Sequence, residues 1–287
     1  MKQTLLLASI AVVAAGCCCR PACNCGSAKL YFPDDPVPEA PTEKISLFNG
    51  KDYDGWDLWM KKDPFAKPAE EVFTVKDGAM HITGEGYGGC TTKKAYKDYH
   101  LKMQFRFTGD AFANRKGKTA DGGLLFHCIG PEGQYSGIWH LSFECNIIQG
   151  RTGDLIVVGN MKDHPSLMRA KAFVNDKGCW VPYPNSRTAI RSLVGCGRVN
   201  SFFYDDSWKD VETQPAVPPE RPYGEWNDLE VICAGDTAEY IFNGKTVLKL
   251  FDLAPSAGRI QLQSECHGIE YRNITIEPIA PKTQEKE

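Results

Sequence analysis

Ala238-Glu239-Tyr240-Ile241-Phe242-Asn243-Gly244-Lys245-Thr246-Val247-Leu248-Lys249-Leu250-Phe251 reads as two strands joined by a two-residue turn. Asn-Gly suits the positive backbone angles of a type I′ turn, whose twist matches that of paired strands. Lys76-Asp77-Gly78 carries a second signal of this kind. Outward from the hairpin, short β-rich runs recur between Gly, Asn, Asp and Pro. Examples are Val72–Val75, Ala79–Thr83, His100–Phe107, Gly123–Cys128, Leu141–Ile148, Asp228–Cys233, Gly258–Gln263 and Tyr271–Glu277. No long run with a helical period interrupts them. About ten strands at this spacing predict an all-β sandwich or jelly roll of two antiparallel sheets.

The two ends read differently. Lys2 followed by the apolar run Leu5–Ala15 has the form of an export signal, too short to span a bilayer. It ends Val13-Ala14-Ala15-Gly16-Cys17, which resembles a bacterial lipobox, with Ala14 where Leu is usual. The expectation is a signal segment over residues 1–16 and a lipid on Cys17. That sends the chain to the periplasm or outer membrane, held to the membrane by its anchor. Residues 17–43, rich in Cys and then in Pro, read as a tether. Residues 280–287 read as a polar tail. The remaining residues 44–279 suffice for one large domain with its own core. Within it, residues 155–224 are rich in Pro and aromatics and break the strand spacing, so a long loop insertion is expected there. The 33 Lys and Arg nearly balance the 36 Asp and Glu without a basic stripe, so nucleic acid is excluded as a partner. Cys90, Cys128, Cys145, Cys179, Cys196, Cys233 and Cys266 lie in the body, with Cys179 and Cys196 the best-placed candidates for a disulfide.

Chemistry concentrates in Trp139-His140-Leu141-Ser142-Phe143-Glu144-Cys145-Asn146. Successive side chains of a strand point to opposite faces, so His140, Ser142, Glu144 and Asn146 share a polar face while Leu141, Phe143 and Cys145 face a core. The same alternation puts Lys102, Gln104 and Arg106 on one face of the run Leu101–Phe107, and Gln261, Gln263 and Glu265 on one face of Ile260–Glu265. His127 ends a third apolar run. A face offering Arg, His, Glu, Gln and Asn suits a polar ligand such as a sugar, and the aromatics of residues 155–224 suit stacking on pyranose rings. The alternative is an ordinary solvated sheet face with aromatics that anchor a surface loop.

Several segments in order carry a resemblance. Leu47-Phe48-Asn49-Gly50-Lys51-Asp52-Tyr53-Asp54-Gly55-Trp56 resembles the opening signature of the 3-keto-disaccharide hydrolase family, bacterial proteins once known only as a domain of unknown function. Gly122–His127, Ser142–Gly150 with Thr152-Gly153-Asp154, Gly224–Asn227, Asn243–Lys245, Leu262–Glu265 and Tyr271–Ile274 continue the series over residues 45–279. The resemblance implies a concanavalin-like jelly roll and cleavage of glycosides whose sugar is oxidised to a ketone at C3. Such a ketone acidifies the C2 proton, so a base can remove it, the C1 group can be expelled and water can add. On that reading Glu144 is the first candidate base, with His127, Arg106 and Glu265 also in the chemistry. Arg106 would steady the enolate oxygen. Trp139, His140, Asn146, Gln149 and Gln263 would hold the sugar. If a divalent metal takes part, His127, His140 and Glu144 are its candidate ligands.

The sequence departs from the family pattern at three places. Asn146 stands where Gln is common, Gln149 where an acidic residue is common, and Cys266-His267 follow Glu265 where Gly is usual. A carbohydrate-binding lipoprotein without catalysis is therefore the alternative, since this fold also hosts lectin-like proteins.

Overall fold

The computed structural model describes residues 32–159, 167–202, 207–212 and 216–279. The signal, Cys17, the cysteine-rich part of the tether and the tail from residue 280 lie outside the described residues. In chain order the strands begin with β1 (Ile45–Ser46), β2 (Trp56–Met60), β3 (Phe73–Lys76), β4 (Ala79–Ile82), β5 (Tyr87–Thr92) and β6 (Tyr99–Ala111). The middle of the chain contributes β7 (Asp121–Ile129), β8 (Leu141–Ile148), β9 (Asp154–Val158), β10 (Arg169–Val174), β11 (Ala189–Val194) and β12 (Arg198–Val199). Last come β13 (Asn227–Ala234), β14 (Thr237–Phe242), β15 (Lys245–Ala254), β16 (Arg259–Glu265) and β17 (His267–Pro278). Among the described residues, helix is confined to one turn at Ala69–Val72 and a 3₁₀ turn at Ala113–Arg115.

The strands form two antiparallel sheets, as the turn chemistry predicts. The larger runs β11-β10-β15-β14-β13-β6-β17-β4-β3, with β1 beside β17, and the smaller runs β12-β9-β8-β7-β16-β5-β2. Asn243 and Gly244 have φ of 45° and 76°, the left-handed pair of a type I′ turn, and Phe242 pairs with Lys245 across it. Asp77 and Gly78 repeat this geometry between β3 and β4. Residues 155–224 differ from the expected loop insertion. They complete β9 and supply β12 to the small sheet and the β10–β11 hairpin to the large one. The prolines fall mainly in the connections, which hid the strands from a reading based on spacing.

Between the sheets, Leu124, Phe126, Phe143, Cys145 and Leu262 of the small sheet meet Leu101, Phe105, Val231, Tyr240 and Phe242 of the large one, all buried. Of the body cysteines, Cys90, Cys128, Cys145, Cys196, Cys233 and Cys266 are free thiols. Cys179 is buried and Cys196 exposed without joining, which corrects the expected pairing. The small sheet is also covered on its outer face: every residue of β8 is buried. The chain 130–139 and residues from the 155–224 segment cover it, and this second burial gives its polar residues a protein environment. Phe143 is fully buried and its ring lies 5.7 Å from that of Phe126. Phe143→Ala is expected to destabilise the domain by about 3–5 kcal/mol, read as a lower urea midpoint at unchanged slope.

Candidate functional site

A cavity of about 440 Å³ opens on the outer face of the small sheet. Its floor comes from β7, β8 and β16, whose outward positions include Asp121, Glu144, Asn146, Gln263 and Glu265. Trp139, Tyr135, Arg115, Arg151, Arg198, Trp208 and Asp210 complete its lining. Strand register explains the convergence: Leu125 of β7 pairs with Glu144 of β8 and with Gln261 of β16, and Gly123 pairs with Asn146. Gly123 is the space-maker. A Cβ there would stand 2.7 Å from Glu144 Oε1 and nearer still to Gln263 Oε1, so both side chains lean over bare backbone. Its neighbour Gly122 faces the core, where an added Cβ would stand 3.5 Å from the Tyr271 hydroxyl.

Three carboxyl groups share this floor, and their environments separate them. Burial pushes Glu144 up to about 8, helped by the charge of Asp121 and opposed by Arg198. Burial also raises Glu265 well above the carboxylate range, with Asp121 and Glu144 adding to it and Arg115 opposing. Asp121 is raised by burial only to about 6, because the Arg115 guanidinium, the Gly122 N–H and Arg198 hold its ionised form. At neutral pH the floor therefore offers one ionised carboxylate, Asp121, beside two protonated ones. Gln263 is buried, and its Oε1 has no hydrogen-bond partner among the described residues. An acceptor left open in this way suits a hydroxyl of a ligand.

Two of these arginines, Arg151 and Arg198, rest on one buried carboxylate. Asp154 Oδ2 accepts from Arg151 at 2.8 Å and from Arg198 at 2.7 Å, while Oδ1 accepts from the Ser201 N–H at 2.7 Å. Asn146 pairs with Asp154 across β8 and β9, which ties this anchor to the floor.

The predicted site residues divide. Glu144, Glu265, Gln263, Asn146 and Trp139 meet in the cavity. Gln149 lines a neighbouring depression with Tyr223 and His267. His140 lies just before β8, outside the cavity. Its Nδ1 bonds to Gly130 O and its Nε2 stands 3.0 Å from Glu132. His127 faces the other way, because a bulge after Phe126 shifts the alternation and gives His127 a φ of 52°. Its ring packs among Phe126, Tyr99 and Phe143, its Nδ1–H donates to Pro255 O, and burial lowers it to about 4, so it is neutral. Arg106 is on the outer face of the large sheet, bonded to Glu270 and lying over Trp226. His127, His140 and Glu144 thus do not converge as metal ligands. Among the described residues no three His, Cys, Asp or Glu side chains are grouped to hold a metal.

The sequence reading passed over Asp121, Arg115, Arg151 and Arg198. Asp121 carries a detectable signal, since it is two residues before Gly123 and shares its face. The model of the 3-keto-alpha-glucoside-1,2-lyase-like domain family matches residues 43–277. The chain belongs to this family. The expected all-β fold and family resemblance are both borne out. No curated protein matches the chain in sequence. Among solved structures, a glycosyl hydrolase candidate from Parabacteroides distasonis is 17% identical, with 83% of this chain and 94% of that one covered at a TM-score of 0.47. A carbohydrate-binding module of Bacillus subtilis is 12% identical over 78% and 95% at 0.40. A β-glucanase of Bacillus licheniformis is 8% identical over 83% and 99% at 0.41.

The raised Glu144 has a measurable cost. A carboxyl whose folded pKa stands above its unfolded value favours folding less and less as pH climbs between the two, here from about 4.5 to about 8. Glu144→Gln removes the ionisation and keeps the shape. Its melting temperature should exceed that of the parent by an amount that grows from pH 5 to pH 8, reaching on the order of 10 °C. A difference that stays constant with pH would refute the buried-acid assignment.

Proposed function

We propose that this member of the family cleaves the glycosidic bond of 3-keto-glycosides by elimination and hydration. The single observation that carries the proposal is the division of protons on the cavity floor. An ionised Asp121 and protonated Glu144 and Glu265 supply a base and acids in one enclosed space, as removal of a proton and loss of an alkoxide require. Asp121 takes the C2 proton, and the electron pair moves through C2–C3 onto the C3 oxygen, where Arg198 stabilises the enolate. The enolate then reforms the C3 carbonyl and a C1–C2 double bond. The C1–O bond breaks, and Glu144 protonates the leaving oxygen. Water then adds to C1 and gives its proton to the Glu144 carboxylate while Asp121 returns its proton to C2, and Glu265, protonated throughout, donates a hydrogen bond to the C3 oxygen. Gln263 and Asn146 bind sugar hydroxyls, and Trp139 and Trp208 bound the ring. Arg106, His127 and His140 have no part in this scheme, and Asp121 takes the role first expected of Glu144. Export and attachment through a lipid on Cys17, suggested by the first seventeen residues, would place this chemistry at the periplasm or outer membrane.

Incubation with a 3-keto-glucoside in deuterated water tests the chemistry. The expected result is aglycone release with deuterium at C2 of recovered substrate. Asp121→Asn should lose exchange and release together, by about 10²–10⁴-fold. Glu144→Gln should keep exchange and lose release most severely for poor leaving groups. Binding of the sugar with neither exchange nor release would favour the non-catalytic reading. Activity should fall below about pH 6, where Asp121 takes up its proton, and above about pH 8, where Glu144 loses its own. A kcat/KM profile flat across that window would remove both assignments.

A further inference from the structure

Residues 207–212 form a strap fastened across the ends of β7 and β8. One fastening is Trp208, whose indole N–H donates to Gln149 O at 3.2 Å, with the Arg151 guanidinium 4.7 Å from its ring centroid. The other is Asp210, whose Oδ1 accepts from Thr119 Oγ1 at 2.5 Å and from the Thr119 N–H at 3.2 Å. Arg115 Nη2 donates to the same oxygen at 3.3 Å, and its Nη1 stands 3.3 Å from Asp121 Oδ2. One guanidinium therefore touches the strap and the floor at once. Its side chain is 12% exposed, and Nη2 also donates to Thr119 O.

We propose that Arg115 is a positioning residue that couples the strap to the acid–base floor, so that a substrate is processed well only when it leaves Trp208 and Asp210 seated. This rests on the reading of the cavity as a 3-keto-glycoside site with Asp121 as base. The physical argument concerns a shared charge. A planar guanidinium holds two carboxylates in fixed directions, which a flexible ammonium does not reproduce. With the strap seated, Asp210 divides the attention of Arg115 and repels Asp121, which makes Asp121 more basic. With the strap displaced, Arg115 serves Asp121 alone, and the base weakens. The other groups that act on Asp121 are Arg198 across the cavity, the Gly122 N–H beside it, and Glu144 and Glu265 on the flanking strands. None of those groups is bonded to Trp208 or Asp210, so the strap's contribution is separable. A glycoside with a group too bulky to pass under Trp208 would then bind and still react slowly.

The test follows Asp121 directly by ¹³C NMR of protein labelled at the aspartate carboxyls, with Asp121→Asn assigning the resonance. In Asp210→Asn the Asp121 midpoint should fall by about half a pH unit, and the acid limb of kcat/KM for a 3-keto-glucoside should follow it. In Arg115→Lys the midpoint should rise, because the charge no longer sits in the fork. Trp208→Ala removes the other fastening, so it should shift the midpoint downward as Asp210→Asn does and raise KM by about tenfold. A midpoint unmoved or raised in Asp210→Asn overturns the coupling. Should that variant fail to fold, a midpoint unmoved or lowered in Arg115→Lys does so instead. If the midpoints move as expected in a protein that turns over no 3-keto-glycoside, the function reading fails and the coupling stands. Unmoved midpoints in an active protein sink the coupling alone.

Discussion

A buried carboxylate on β9, Asp154, is the interaction on which the rest of the site depends. Fully enclosed carboxylates are costly to desolvate, and this one is compensated by two guanidinium groups and a backbone N–H. In return it fixes Arg151 and Arg198, which sit on different segments of the chain. Arg198 then faces Glu144 across the cavity, and Arg151 supports the ring of Trp208. Loss of the Asp154 carboxylate would leave two guanidinium groups crowded together without their acceptor. The Thr-Gly-Asp segment that introduces β9 is therefore as much a part of the site as the floor residues themselves.

The chemistry of the floor follows from its double burial. An antiparallel sheet usually turns one face to water, where glutamates keep ordinary acidity. Here the chain 130–139 and residues 207–212 lie over the outer face of the small sheet, so Glu144 and Glu265 are held protonated by their surroundings. Asp121 escapes the same fate because Arg115 is beside it. The acid and base are chemically the same kind of group, and their roles are set by which of them has a guanidinium in direct contact.

Much of this was legible in the residues, and the failures have definite causes. Period-two alternation placed Glu144 and Asn146 on one face, and Gln263 and Glu265 on another, because those strands are regular. His127, read as the end of an apolar run and grouped with that polar face, turns into the core because a bulge adds a residue and breaks the period. Arg106 alternates as faithfully as Glu144, but alternation tells only which face of a strand a residue occupies. It does not tell which of two sheets the strand joins, and β6 lies in the other one. Arg115 and Asp210 sit on irregular chain, where no period exists to be read. Trp208 was among the aromatics noted in residues 155–224, without a signal to distinguish it from Trp180, which is buried in the core.

Gly122 and Gly123 leave β7 without side chains on both of its faces at one point. On one side Glu144 and Gln263 occupy the vacated room. On the other the hydroxyl of Tyr271 approaches from the core. At this point a single layer of peptide is all that divides the hydrophobic interior from the reactive surface. A lineage that enlarged either residue would disturb packing and acidity within one step of each other. Drift in the core and adaptation of the cavity are elsewhere separate matters, but along these two residues they can only proceed together.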